Sequence, residues 1–358
     1  MNIYLIMYSI VIIFGVIFGG YKKYNYTYII IVGIILFSVC AFRGVRVGSD
    51  LGTYEKHYLF CYNNSWANIL NYYGTNNVLF YFIMKAQSLV FGYSYSIYLA
   101  LLAIFEGIVL CKLIAKYSVN PFMSFVMYMS LGYYIFIYSG LKQALAMAFI
   151  MIAFDKIIEK KAVKFIFLSF IAACIHVPAL IFLPAYFFAR KKVTFNTVMI
   201  YIVGGCVLYF LKGNIVNLMA YIYASDVSDA SLSNVGGKAV MMFIIIVIGM
   251  IFRNPKNEDI AYTVLFNCMI VAMMLQTLAS YGNVFERLAD YYYVFAILFI
   301  PMIFENVNVR DVQDDQMIKL VGLAPATVSF GILIFATIYF YITLNSTYGI
   351  LPYALSFI

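Results

Sequence analysis

Residues 163–189 read VKFIFLSFIAACIHVPALIFLPAYFFA, a long apolar run with a cluster of basic residues on each side. A membrane-crossing helix needs about 20 mainly apolar residues, and basic clusters concentrate on the cytoplasmic side of a membrane. Both ends of this run are therefore predicted to lie in the cytoplasm. Because Pro178 and Pro184 interrupt helices, two short helices are expected to meet near His176 at the outer side.

Apolar runs of similar length recur through the whole chain. Its 358 residues are 65% hydrophobic and 11% charged, and the mean hydropathy is +0.94. The runs are continuous rather than alternating, which favours helices over a barrel as the way to pair the backbone inside lipid. The sequence predicts an all-α fold, a single polytopic membrane helical bundle over residues 1–358 with about 10–12 transmembrane or re-entrant helices.

The charged residues and the cysteines exclude several classes of function. The net charge is +8, but most Lys and Arg flank the apolar runs, so the charge indicates membrane orientation rather than nucleic-acid binding. The six cysteines form no CxxC pair and most lie within apolar runs, where cysteine packs as a small apolar residue. The chain has two histidines, so neither a metal site nor a cofactor is expected.

The basic clusters also determine the predicted topology. If Val78–Phe91 crossed the membrane, the later basic clusters would lie outside, against the usual bias. We therefore interpret this segment as a re-entrant or interfacial helix, and Phe122–Tyr138 and Val198–Leu211 as outward crossings. External loops are predicted at residues 43–94, 212–238 and 280–288.

Six charged or titratable residues share the outer face in this topology. They are Arg43, Arg46, Asp50, Lys142, His176 and Arg287. The first two arginines lie outside against the orientation bias, and arginine presents a planar fork that suits phosphate oxygens. An arginine at a helix end also commonly extends to the membrane interface, so an anion site and a structural role both remain open.

The corner Ser139-Gly140-Leu141-Lys142-Gln143 begins a helix at the same predicted face. A helix N-terminus beside a lysine is suited to binding an anion. Helix capping explains Ser139 equally well. The corner is therefore a candidate anion site with a structural alternative.

His176 is apolar on both sides in the sequence. An ionisable side chain within a membrane is costly and tends to line a cavity, and imidazole can act as a general base near neutral pH. Packing is the alternative for His176, and Asp50 is the competing candidate base. The second histidine, His57, is given no role.

Two further features lie near Arg287. Glu286 precedes it, and the two side chains can pair with each other. The tyrosines that begin at Tyr291 can form an interfacial aromatic belt or stack against sugar rings.

These motifs together resemble a known family. The segments FRGVRVGSDLGTY, GLKQALAMAF, IIEKKAVKF, FIAACIHVPALIFLP and ERLADYYYVFAILFIP occur in an order and spacing similar to the EpsG-like branch of the Wzy polymerases of O-antigen, exopolysaccharide or capsule repeat units. The resemblance covers roughly residues 40–305 and implies a fold like that of integral-membrane C-type glycosyltransferases. One departure is Lys142, where the family has arginine, so a point charge replaces a forked donor.

The resemblance implies a metal-independent reaction at the outer leaflet of the bacterial inner membrane. The growing glycan on undecaprenyl diphosphate would be transferred to a sugar hydroxyl of another lipid-linked unit, with His176 or Asp50 as the base. The residues that would contact the diphosphate are Arg43, Arg46, Lys142 and Arg287, and weaker sugar or lipid contacts are expected at Gln143, Tyr54 and Tyr291. Membrane lipids are expected partners, and a chain-length regulator is left open.

Two other classes of function are weighed against this one. A transporter or flippase of lipid-linked glycans would place polar residues near the bilayer midplane, often on broken helices of paired repeats. The candidate residues lie at one face instead and no repeat is evident, which favours the enzyme. A membrane O-acyltransferase is a weaker alternative. The sequence leaves the sugars, the linkage, the stereochemical outcome and the oligomeric state open.

Overall fold

The structure is a computed structural model that describes residues 2–18, 22–223, 236–253, 259–281, 283–308, 331–344 and 348–356. Within these ranges the chain is helical apart from turns and one isolated antiparallel bridge between Arg43 and Leu355. The predicted all-α class is therefore confirmed for the described residues. Residues 224–235 of the predicted external loop 212–238, and residue 282 of the predicted loop 280–288, lie outside them.

The α-helices are numbered here in chain order. Their bounds are α1 Ile3–Phe18, α2 Asn25–Ala41, α3 Leu51–Asn63, α4 Trp66–Tyr73, α5 Val78–Phe91, α6 Tyr95–Tyr117, α7 Pro121–Ser130, α8 Tyr133–Phe136, α9 Leu141–Ile158, α10 Ala162–Ile175, α11 Ala185–Phe188, α12 Phe195–Tyr223, α13 Gly236–Ile251, α14 Ile260–Gln276, α15 Asn283–Tyr293, α16 Ala296–Asn308 and α17 Gly331–Leu344.

Two of the described helices are long and apolar enough to cross a membrane by length and composition. They are Tyr95–Tyr117 and the segment Ile260–Ala279, which extends α14 by a 3₁₀ turn. Several other apolar helices, α1, α2, α5, α10 and α17 among them, are shorter than this. Multi-pass insertion therefore stays a prediction.

The break predicted near His176 is confirmed. Helix α10 ends at Ile175, His176 has an extended backbone, and a 3₁₀ helix from Val177 to Phe182 follows. Pro178 lies at the start of that 3₁₀ helix and has no N–H with which to continue α10. The two segments therefore meet at a corner that carries the histidine.

The segment Phe122–Tyr138, predicted as an outward crossing, is not one continuous helix. Helix α7 ends at Ser130, and Gly132 follows with a φ of +85°. This left-handed conformation favours glycine because glycine has no Cβ to clash with the backbone. The short helix α8 then leads into the corner that begins α9.

Where the structure describes them, the stretches predicted as external loops are largely helical. Residues 43–94 contain α3, α4 and α5, and the bounds of α5 coincide with the predicted segment Val78–Phe91. Helix α12 continues to Tyr223, so its predicted end at Leu211 is wrong. Most of the stretch 280–288 belongs to the first turns of α15.

Helix α9 is central to the bundle and packs against α6, α10 and α14. Its C-terminal end carries a cluster of paired charges. Lys156 lies 2.6 Å from Asp155 and 2.8 Å from Glu159, Lys161 lies 3.0 Å from Glu159, and Lys116 contacts both carboxylates. The lysines of this cluster are therefore compensated by carboxylates.

Candidate functional site

The candidate site forms around the corner that carries His176. The imidazole is half-buried, and its Nδ1 lies 2.6 Å from the hydroxyl of Tyr291 on α15. The next backbone N–H, that of Val177, donates to the Asn77 side-chain oxygen at 2.9 Å, which ties the corner to the start of α5. A hydrogen bond at Nδ1 sets the orientation of the ring.

Lys142 is held in an aromatic enclosure on the first turn of α9. Its Nζ donates to the Tyr81 hydroxyl at 2.7 Å and lies 4.7, 5.6 and 5.9 Å from the ring centroids of Tyr81, Phe80 and Tyr54. These distances suit cation–π attraction. Among the described residues, no carboxylate lies within ion-pair distance of this ammonium.

Arg287, on α15, is the second cation of the site. Its carbonyl accepts a hydrogen bond from the Gln143 amide at 3.0 Å, which fixes α15 beside the start of α9. Its guanidinium lies 5.7 Å from the Phe136 ring. Glu286 pairs with Lys238 at 3.3 Å rather than with Arg287, so the predicted alternative of a Glu286–Arg287 pair is wrong. In the ranges that the structure covers, the Arg287 guanidinium has no carboxylate partner.

The electrostatic environment of His176 reflects both cations. Burial, and then the positive charges of Lys142 and Arg287, lower the pKa of His176 from 6.5 to about 3. Burial and each nearby positive charge disfavour a positive charge on the ring. At neutral pH the imidazole is therefore uncharged, and the two cations weaken it as a base.

Asp50, the competing base, lies on a loop fastened to the same corner. Its backbone N–H donates to the Ser139 hydroxyl at 3.3 Å, and its carboxylate accepts from Ser49 at 3.2 Å. The hydroxyls of Ser49 and Ser139 lie 2.7 Å apart. Ser139 therefore holds the loop rather than capping α9, whose N-cap is Gly140.

The structure gives Arg43 internal partners. It is 1% exposed, its Nη1 donates to the Ile137 carbonyl at 3.1 Å and to the Cys40 sulfur at 3.0 Å, and its guanidinium lies 4.9 Å from the Tyr138 ring. These contacts support packing, not the predicted contact with a diphosphate. Arg46 is exposed, and its predicted role stays a prediction.

A segment near the end of the sequence, residues 348–356, completes the loop at residues 42–49; we call it the strap. Three backbone N–H groups of the loop donate to carbonyls of the strap, and one N–H of the strap donates to a carbonyl of the loop. The pairs are Gly44 to Ala354 at 2.6 Å, Gly48 to Gly349 at 3.0 Å, Ser49 to Tyr348 at 2.7 Å and Ser356 to Phe42 at 2.9 Å. The strap therefore fixes the backbone that presents Asp50.

Gly48 shows how closely this loop is packed. Its φ is +140°, and a Cβ atom there would lie 2.1 Å from the Tyr138 carbonyl oxygen. No other residue type fits without moving one of the two backbones.

His57 belongs to the surroundings of the site, although the sequence suggested no role for it. Its Nδ1 lies 2.7 Å from the Tyr73 hydroxyl, and the Tyr73 ring stacks on Tyr81 with centroids 3.6 Å apart. Tyr81 in turn accepts the hydrogen bond from Lys142. Burial and the charge of Lys142 lower the pKa of His57. The one signal in the sequence is that His57 follows Tyr54 by three residues, which places both on one helix face.

Comparison with known proteins adds one finding. The sequence model described as the EpsG family matches residues 26–355, a range that includes every residue of the site. Searches of the curated proteins and of the solved structures gave no match.

Proposed function

The chain belongs to the EpsG family, and we propose that it polymerises lipid-linked oligosaccharide repeat units. The family is membrane-associated, and membership supports polysaccharide polymerisation in general. In our proposal the growing glycan on undecaprenyl diphosphate is the donor. A sugar hydroxyl of a second lipid-linked unit is the acceptor, and no metal takes part. The site faces the outside of a bacterial inner membrane.

The observation that carries this proposal is a histidine whose pKa is lowered by two nearby cations, neither of which has a carboxylate partner among the described residues. At the other end of α9, Lys156 is paired with Asp155 and Glu159. Lys142 and Arg287 are partly buried without such compensation among the described residues, which is costly unless an anion binds. A diphosphate supplies that anion.

The chemistry follows from this arrangement. With Nδ1 donating to the Tyr291 hydroxyl, His176 Nε2 takes the proton of the acceptor hydroxyl as its oxygen bonds to the anomeric carbon of the donor. The bond between that carbon and the diphosphate oxygen breaks, and the diphosphate leaves with the bonding pair. Lys142 and Arg287 stabilise the charge that develops on it. The proton on His176 then passes to solvent.

We predict that kcat/KM and kcat depend differently on pH. Because His176 stays neutral until the pH falls toward about 3, the acid limb of kcat/KM, which reports the free enzyme, should lie far below 6.5. Bound diphosphate offsets the charges of Lys142 and Arg287, so the acid limb of kcat should lie at a higher pH. Both parameters are measured against pH with purified protein. Coincident limbs near 6.5 would contradict the coupling of His176 to the two cations.

The proposed function is tested with purified protein in detergent and a diphosphate-linked repeat unit. A polymerase produces a ladder of longer glycans on a gel and releases one carrier diphosphate for each bond formed. A transporter or flippase leaves the substrate unchanged, because detergent micelles have no second compartment. Absence of longer products from folded protein supplied with its native substrate would overturn the proposal.

A further inference from the structure

A large apolar cavity lies between α7, α13, α16 and α17. Its volume is about 670 Å³. Nearly all of its lining side chains are aliphatic or aromatic. Ser130 and Tyr339 contribute the polar ones among the described residues. The volume is typical of a site for a small molecule or a segment of chain.

The cavity is elongated along α13. Its lining residues on that helix run from Gly237 to Ile248 at intervals of three and four, so they form one stripe on one face. Eleven residues of α-helix span about 16 Å. The cavity therefore has the shape of a groove parallel to the helices rather than a closed void.

One end of this groove lies at the level of the candidate anion site. Gly237 at that end precedes Lys238, which lies 2.6 Å from Asp290 on α15. Arg287 is one turn before Asp290 on the same helix. Leu131 lines the groove, and five residues further on Phe136 lies beside the Arg287 guanidinium.

The other end of the groove leads away from these charges. The Thr343 methyl group on α17 lies 4.0 Å from the Cβ position of Gly132, next to Leu131. The C-terminal part of α17, with Tyr339, therefore lies at the charged end. Gly331, eight residues before Tyr339, lies about 12 Å from it along the helix axis and marks the far end. A Cβ atom built on Gly331 meets no atom within 4 Å, so this end has room for a larger side chain.

We propose that this groove binds the isoprenoid chain of the diphosphate-linked carrier, an inference that rests on the proposed function. The cations at one end hold the diphosphate. The apolar stripe begins at the same level, which is where a chain attached to the diphosphate has to begin. Burial of the chain against aliphatic side chains provides binding energy remote from the reacting atoms. A phospholipid acyl chain is the competing occupant, and the labelling experiment below distinguishes the two.

The test compares two donors that share glycan and diphosphate but carry either an undecaprenyl or a geranyl chain. Wild-type protein should show a lower KM for the undecaprenyl donor. Gly331→Phe fills the far end of the groove and should reduce this preference about tenfold, the loss expected for about two displaced methylenes. Activity on the geranyl donor should stay unchanged. Ile338→Phe is the matched control, because Ile338 is exposed on the same helix and does not line the groove.

A labelling experiment provides an independent readout. An isoprenoid diphosphate with a diazirine near the end of its chain should crosslink to α13 or α17, and excess undecaprenyl diphosphate should suppress the crosslink. Crosslinks elsewhere, or suppression by phospholipid alone, would assign the groove to bilayer lipid and overturn the inference. An equal loss by Gly331→Phe on both donors would also overturn it. If wild-type protein makes no polymer yet crosslinks at α13 or α17, the proposed function fails and the lipid site stands.

Discussion

Replacement of His176 by Gln is expected to lower the rate of glycan extension by about 10²–10⁴, because a positioned general base typically contributes that much. Glutamine can replace a hydrogen bond to Tyr291 but cannot take the proton of an acceptor hydroxyl. The rate is measured as polymer formed per minute by purified protein at saturating substrate. Thermal unfolding of the variant should match that of wild type.

The chain offers its own control for this experiment. His57→Gln alters the other histidine, which reaches the site through Tyr73 and Tyr81, and its effect on kcat should be smaller. Near wild-type extension by His176→Gln would assign that residue to packing. Asp50, on the neighbouring loop, would then be the base to test, with Asp50→Asn.

Loss of either cation is expected to reduce extension by about 10²–10³, the usual cost of removing one contact to a developing charge. For Lys142→Ala and Arg287→Ala we expect this loss as a fall in kcat, measured with the diphosphate-linked donor. Arg287→Lys should recover part of the rate, because it restores the charge without the forked geometry. Polymer length and carrier diphosphate release are both measured.

Two other substitutions test whether losing a positive charge elsewhere in the protein has the same effect as losing one at the site. Lys116→Ala removes a lysine of α6 that pairs with Asp155 and Glu159 at the far end of α9, and should leave extension near the wild-type rate. Arg43→Ala should instead lower thermal stability, because it removes hydrogen bonds in the interior. Full activity in both Lys142→Ala and Arg287→Ala would exclude a diphosphate site at this corner.

Some features of the fold could be predicted because they depend on local chemistry. The break at His176 follows from Pro178, and the bounds of α5 follow from a short apolar run between polar residues. The corner that begins α9 is also local, since Gly140 and the apolar residues after Leu141 define it. The sequence therefore located Lys142 and His176 correctly at element ends.

Other features depend on contacts between distant parts of the chain. The end of α7 depends on the left-handed conformation of Gly132, which an apolar run does not reveal. The burial of Arg43 depends on the Ile137 carbonyl that accepts its hydrogen bond. His57 acquires its connection to the site through Tyr73 and Tyr81. The polarity of the sequence alone does not predict any of these contacts.

The strap has a consequence for how the protein folds. The Tyr353 hydroxyl bonds to the Val39 carbonyl across 314 residues of sequence, and the neighbouring backbone bonds join segments almost as far apart. Contacts of such high order form slowly, because most of the intervening chain must be ordered first. The loop that presents Asp50 should therefore mature after the helices around it. Intermediates with a nearly complete helical bundle should still lack the final shape of the loop.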